Sequence, residues 1–322
     1  MTALPVGGRP AAPPAHARNT LGRPLCAATA RERDDPMAGS TPVTRRWLLL
    51  EHPGPWRHDA VGGMDLPPSV MDPLLASIRS QGARALAVRR PGREGRRTPP
   101  AERVWGVLDQ RDGWERWGRF REPADLLAAA AALGSDDGGP GVAQDAQTVL
   151  VCTHGRHDTC CAAWGRPVAV ALAERWPGQV WECSHLGGDR FAANVLVAPD
   201  GLYYGYLDAA SAVDVIGGHL RGEVVPGSLR GFSHVPPVVQ AAVVAAHERF
   251  GPAGARAFRS DEVSMLTPDQ WRVGLTADAP LPRRLHVDVR RTRSEPAFLT
   301  CGAYEPSRAA SFAVTDVAVD ET

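Results

Sequence analysis

An α/β fold is predicted for this 322-residue chain by three observations. Apolar runs of strand length alternate with longer stretches of helical spacing. The same order, β-α-β-β-β-α, occurs in both halves. Between them lies Gly134-Ser-Asp-Asp-Gly-Gly-Pro-Gly141, the clearest linker in the sequence.

In the first half, Arg46–Glu51 is a short apolar strand stopped by His52-Pro-Gly-Pro-Trp56. Ser69–Arg79 has helical spacing, with Ser69 as the expected N-cap and Gly82 ending the segment. Strands are expected over Ala83–Val88, Arg103–Leu108 and Trp114–Phe120, then a helix over Ala124–Leu133. In the second half, strand Thr148–Val151, helix Cys161–Trp176 and strand Val180–Cys183 follow one another. Asn194–Val197 and Leu202–Leu207 read as a hairpin across Ala198-Pro-Asp-Gly201, whose Pro-Asp-Gly is strong turn chemistry. Ala210–Leu220 closes the half as a helix. This order is also that of a thioredoxin-like fold, and its recurrence suggests two related α/β units. Pro236–Phe250 is a further helix, and Leu285–Val289, Ala297–Leu299 and Ser311–Val319 look like terminal strands. The organisation expected is a disordered tail (or an over-long start) over 1–23, an N-terminal α/β half over 24–143, and a second domain with a C-terminal extension over 144–322.

Composition excludes several functions. Lysine plus arginine equals aspartate plus glutamate at 36 each, which argues against a nonspecific nucleic-acid binder. The stretch Arg89–Arg97 reads as a solvated loop, because Gly and Pro interrupt it and no aromatic residues are interleaved. No run approaches the ~20 apolar residues of a membrane span, and the N-terminus lacks the apolar segment of a signal peptide. Six unevenly spread cysteines do not make a disulfide framework, so a cytoplasmic protein is expected.

The chemistry concentrates in one place. Val149-Leu-Val-Cys152-Thr-His-Gly-Arg-His-Asp-Thr-Cys160-Cys161 is followed by Trp181-Glu-Cys183-Ser-His185-Leu-Gly-Gly-Asp189, which holds four of the six cysteines. Cys152 ends a strand, and the next loop delivers Cys160 and Cys161 to a helix start, where the open N–H groups favour thiolate. His185 and Asp189 follow the next strand, which in a parallel pair ends on the same sheet edge. Gly187-Gly188 allows a tight turn there. Three readings compete on these residues: an iron–sulfur centre, a structural zinc in a zinc-stabilised interaction module, and a thiol oxidoreductase using Cys160 or Cys161. Spacing does not separate iron–sulfur from zinc.

Val151–Cys161, Gly165-Arg-Pro-Val-Ala, Ser184–Val195 and Pro199-Asp-Gly-Leu-Tyr-Tyr-Gly together resemble the sucrase/ferredoxin-like family, which includes the fungal actin-patch-distribution proteins. Arg46–Trp56 and Leu299-Thr-Cys-Gly302 extend the resemblance over nearly the whole chain from about Cys26. It implies a thioredoxin-like ferredoxin domain holding a [2Fe–2S] cluster through a Cys-x8-Cys pair and a His-x3-His pair. Cys152 and Cys161 match the first pair. His185 matches the first position of the second, but Asp189 stands where the fungal proteins have histidine. Asp189 or Cys183 is then the fourth ligand, with Cys160 a further candidate. On a regular strand, Cys183 would share a face with His185.

The function implied is one-electron transfer or redox sensing, with a reductase or acceptor protein as partner and no nucleic acid or membrane. An electron carrier is expected rather than a stand-alone enzyme. No Gly-x-Gly-x-x-Gly follows an early strand, so NAD(P)H is not the expected direct donor. Nothing marks the facing carboxylate pair that sugar hydrolysis needs. His154 and His157 flank the ligand loop, as potential-tuning groups or plain surface histidines. Asp158 is a helix N-cap. Trp164 and Trp181 are candidates to shield the centre. Cys26 and Cys301, far from it in sequence, read as buried structural thiols.

Overall fold

The computed structural model describes residues 17–92, 101–136 and 139–320. Strand β1 (Arg46–Glu51) is buried at every position, as a strand covered on both faces must be. Helix α2 (Pro68–Ser80) crosses from it to β2 (Arg84–Arg89), which pairs with β1 in parallel. Antiparallel strands β3 (Arg103–Asp109) and β4 (Trp114–Phe120) and helix α3 (Leu127–Gly134) complete this unit. The second unit repeats the plan. Strand β6 (Thr148–Cys152) leads through α4 (Thr159–Arg175) to its parallel neighbour β7 (Val180–Cys183). Antiparallel strands β8 (Val195–Ala198) and β9 (Leu202–Tyr204) follow, then α5 (Ala209–Leu220).

The two units share one ten-stranded sheet, in the order β10-β9-β8-β6-β7-β2-β1-β3-β4-β5. Within it β2-β1-β3-β4 and β7-β6-β8-β9 have the same order and the same senses of pairing. They join edge to edge through antiparallel pairs Val88–Cys183 and Arg89–Glu182. The outer strands are β5 (Val142–Ala143), paired with β4, and β10 (Leu229–Phe232), paired with β9. The sheet curls so that both units contribute to one apolar layer. Trp47, Leu49, Leu86 and Val88 there meet Leu150, Trp181, Leu196 and Tyr203. On the outer faces, α2 and α3 cover the first unit, and α1 (Cys26–Glu32), α4 and α6 (Pro237–Phe250) cover the second. A separate four-stranded antiparallel sheet, β11 (Arg259–Thr267) to β12 (Gln270–Thr276) to β13 (Arg284–Arg293) to β14 (Ala310–Val319), packs on α6.

Several expectations need correction. Helix α2 starts at Pro68 with Pro67 as N-cap, so Ser69 lies inside its first turn. Proline is at home there because its missing N–H would have no helical partner. Ala297–Leu299 makes only an isolated bridge, Ala297 to Ser307. Of the tail expected over 1–23, residues 1–16 lie outside the described residues, whereas 17–23 join the fold. Asn19 Nδ2 donates to Cys301 O at 2.9 Å, and Arg23 donates to Ala303 O. The Arg89–Arg97 stretch is no solvated loop at its start. Arg89 is buried on β2, paired with Glu182 at 2.8 Å and stacked on Trp56, while Arg90 covers Trp181. Residues 93–97 lie outside the described residues. No helix of the described residues is long and apolar enough to cross a membrane.

Candidate metal centre

The parallel pair β6–β7 ends with Cys152 and Cys183 in register, so the loops that follow leave from one sheet edge. In open α/β sheets, ligand sites form beyond the carboxyl ends of such strands. The first loop is closed by Asp158, whose carboxylate accepts from Cys160 N at 2.8 Å and so caps α4. Cys160 and Cys161 then fall in the first helical turn. Gly165, one turn on, brings this helix against the strand end: a Cβ there would sit 2.0 Å from Cys152 O.

The second arm bends at Gly187 and Gly188, with φ of +96° and +79°, into a 3₁₀ turn over Asp189–Phe191. Arg230, from β10, holds the bend in place. Its guanidinium donates to Gly187 O at 3.0 Å and to Asn194 Oδ1 at 2.7 Å, and Asn194 Nδ2 donates back to Gly188 O at 2.9 Å. Burial lowers the Arg230 pKa to about 10.

These arms bring Cys152, Cys161 and His185 together, their donor atoms all within 4.8 Å of one another. His157, His185 and Asp189 form a second such group that shares His185. The Cys161 thiol points at Asp189 Oδ1 across 3.2 Å, and His185 Nδ1 lies 3.0 Å from the same oxygen. That last contact is close but poorly directed for a ring N–H, which leaves the buried His185 Nδ1 without a well-aligned hydrogen bond. His157 stacks on His185 with ring centroids 3.6 Å apart, and the exposed His58 ring lies tilted against His157 at 4.7 Å. His154 stands beside this row, with Nε2 donating to Arg57 O at 2.8 Å.

The charges couple. Interaction with the neighbouring Cys161 thiol holds Cys152 well below its ordinary range against the effect of burial, and His185 adds to this. Cys161 is pushed up in turn by Cys152 and by burial. Burial works against a charged His185, yet Asp189 and Cys152 raise it to about 9. Burial likewise opposes ionisation of Asp189, and His185 overcomes it. His157 is lowered to about 4, first by burial and then by the charge of His185.

Thiolate, imidazole and carboxylate donors convergent at a buried edge can hold a metal ion. The site includes four of the residues singled out from the sequence, namely Cys152, Cys161, His185 and Asp189. Cys183 stays out of both groups. Strand β7 ends at Cys183, so the strand alternation that would align it with His185 stops there, and its thiol packs in the shared apolar layer, where burial pushes it up. Cys160 points to the other face of α4, toward Cys26 and Cys301. Trp181 shares the apolar layer with Cys152 and Cys161, whereas Trp164 lies on the Cys160 side. Sequence reasoning left the role of His157 open and missed Arg230, for which the sequence carries no signal.

Searches of curated proteins and of solved structures find no significant match. The family model described as sucrase/ferredoxin-like matches residues 37–231, a span that takes in both ligand arms, all of the ten-stranded sheet but Phe232 at its end, and Arg230. With more than half of its length in that match, the chain belongs to the sucrase/ferredoxin-like family.

Proposed function

We propose that Cys152 and Cys161 on one arm, and His185 and Asp189 on the other, hold a [2Fe–2S] cluster, and that the protein transfers single electrons or senses redox state. One observation carries this reading. Two thiols from one arm and an imidazole and a carboxylate from the other meet at one buried sheet edge: the donors of Cys152, Cys161 and His185 lie within 4.8 Å of one another, and Asp189 Oδ1 is 3.2 Å from Cys161 Sγ and 3.0 Å from His185 Nδ1. A cluster bound there would supply a one-electron couple, with a potential above that of all-cysteine ferredoxins because imidazole replaces thiolate.

The chain's own residues prepare that chemistry. Arg230 holds the bend that carries Asp189, which places its carboxylate 3.0 Å from His185. The row His185–His157–His58 leads from the buried edge to an exposed ring and suits proton exchange when the charge of the site changes. The buried apolar layer around Cys152 and Cys161 limits water. Because Cys160 and Cys161 point to opposite sides and both are fully buried, they are poorly placed as a thiol-exchange pair, which favours the metal reading over an oxidoreductase of that kind. A cytoplasmic setting, where thiols stay reduced, fits six free cysteines, and a reductase or acceptor protein would be the partner.

Anaerobic purification with iron, sulfide and zinc analysis tests this. About two irons and two acid-labile sulfides per chain are expected, with visible charge-transfer absorption. Asp189→Ala should lose most of the iron, and Cys183→Ala should keep it. Iron-free protein from that purification, or a Cys152→Ser/Cys161→Ser variant that keeps its iron, would overturn the proposal.

A further inference from the structure

The remaining thiols meet in one place. Cys26 begins α1, Cys160 lies in the first turn of α4, and Cys301 lies between β13 and β14, yet their sulfurs converge. Cys26 and Cys160 are 3.5 Å apart, Cys160 and Cys301 3.3 Å, and Cys26 and Cys301 3.7 Å. Asp158 closes the group, its carboxylate oxygens 3.9 Å from Cys26 Sγ. All four side chains are buried, none more than 4% exposed. Cys26 and Cys301 are buried as expected, and although far from the cysteine-rich segment in sequence they meet Cys160 in space.

We propose that Cys26, Cys160, Cys301 and Asp158 form a second metal site, which takes a single zinc ion and serves structure. Four observations bear on it. First, tetrahedral zinc with Zn–S near ~2.3 Å sets its sulfur ligands about 3.8 Å apart, and all three pairs here approach that spacing. A disulfide needs ~2.05 Å and consumes two thiols, so it would leave the third unmatched. Second, all four donor atoms lie within 4.8 Å of one another, a compact tetrad suited to one ion. Third, backbone N–H groups aim at the sulfurs: Cys26 N at Cys301 Sγ across 3.5 Å and Ala27 N at Cys160 Sγ across 3.4 Å. Such bonds strengthen when the sulfur is a thiolate, and they offset the negative charge that three thiolates and a carboxylate leave around a dication. Fourth, Asp158 is a poor guest among inert thiols. Its oxygens accept from Cys160 N and Cys301 N at 2.8 and 2.6 Å, which orients the carboxylate toward the tetrad in the way that outer partners orient a metal ligand.

The site would tie together segments that the sheet does not connect. Cys26 and Cys301 both lie outside the 37–231 family match, and zinc would fasten the N-terminal helix and the β13–β14 connection to the helix that presents Cys161. Cys160 and Cys161 are adjacent, so fixing one fixes the first turn that carries the other.

Metal analysis of the full chain, purified anaerobically, tests this independently of the cluster. About one zinc per chain is expected in the wild type, and it should persist in Cys152→Ser/Cys161→Ser. Cys26→Ser and Cys301→Ser should each lower zinc retention at least tenfold in dilute chelator. Zinc lost with the Cys152/Cys161 pair but kept in both other variants would place it at the first site and overturn the proposal. So would zinc-free wild type, or a disulfide among the three thiols in non-reducing mass spectrometry. Should the serine variants not fold, cobalt(II) loading of Cys152→Ser/Cys161→Ser reads the tetrad intact. Thiolate-to-cobalt absorption with tetrahedral d–d bands is then expected, and their absence would overturn the proposal.

Discussion

Arg230 is completely buried, and its donors reach Ser40 O and Oγ, Gly187 O and Asn194 Oδ1, which ties the second ligand arm to a distant loop. Replacing it by Met would leave the buried Asn194 Oδ1 and the partly buried Gly187 and Ser40 carbonyls without these donors, at a cost of about 3 kcal/mol. Arg230→Met should therefore lower the urea midpoint and cut iron retention by at least half, measured side by side. Arg230→Lys should recover little, since a point charge does not reproduce the planar fork. A variant that loses stability but keeps wild-type iron would deny Arg230 its positioning role. None of this was visible in the sequence, where Arg230 is one basic residue among many. The segment that holds Cys152, Cys161, His185 and Asp189 was legible, because its donors crowd two neighbouring strand ends, but the choice of these four among the other candidates came from the family resemblance, and Asp189 against Cys183 stayed open. The meeting of Cys26 and Cys301 was not legible, since the two are 275 residues apart and only the tertiary fold joins them.

Helix α4 lies hard against strand β6, and Gly165 is where the two make closest approach. The missing side chain is a condition of the site, since a methyl there would overlap Cys152 O. Gly165→Ala should push the helix away by roughly the size of that methyl. Stability should fall by about 2 kcal/mol despite the better helix propensity of alanine, and Cys161 should move from Cys152. Thermal melts and iron content together check this; a variant as stable as wild type with full iron would mean that the helix is not held by this contact. The strands that frame the site were readable because β1, β6, β7 and β8 are buried throughout and so are mostly apolar, with Glu182 the one charged residue inside them. Strand β11 was missed for the opposite reason. It is exposed along almost its whole length, so Arg259-Ser-Asp-Glu has neither an apolar run nor alternation. Strand β12 has a buried centre, Val273-Gly-Leu275, too short to stand out among polar neighbours.

Two α/β units with one strand order were suggested by the sequence, but not the way they join, because edge pairing between β2 and β7 depends on backbone groups that every strand offers. The curl of the sheet brings β4 of the first unit over the start of β6 in the second. Trp117 stacks there on Trp181, and Glu115 accepts from Thr148 N at 3.2 Å, Thr148 Oγ1 at 2.6 Å and Trp117 Nε1 at 3.0 Å. Burial raises the Glu115 pKa from 4.5 to about 7 in spite of these bonds. Between those two values the folded protein holds a proton on Glu115 that the unfolded chain has released. The free energy of unfolding through this group thus falls as pH rises across that window, and the loss is complete above the folded pKa. Each pH unit of the window removes about 1.4 kcal/mol, so the whole window removes about 3 kcal/mol. Glutamine is neutral throughout, so Glu115→Gln should gain on the wild type by roughly this amount between about pH 4.5 and 7.5. Denaturant melts of both proteins across that range isolate the effect, because contributions of other groups cancel in the difference. A difference that stays constant with pH would mean that Glu115 ionises alike in both states, and that the two units are joined across the shared layer without a buried proton.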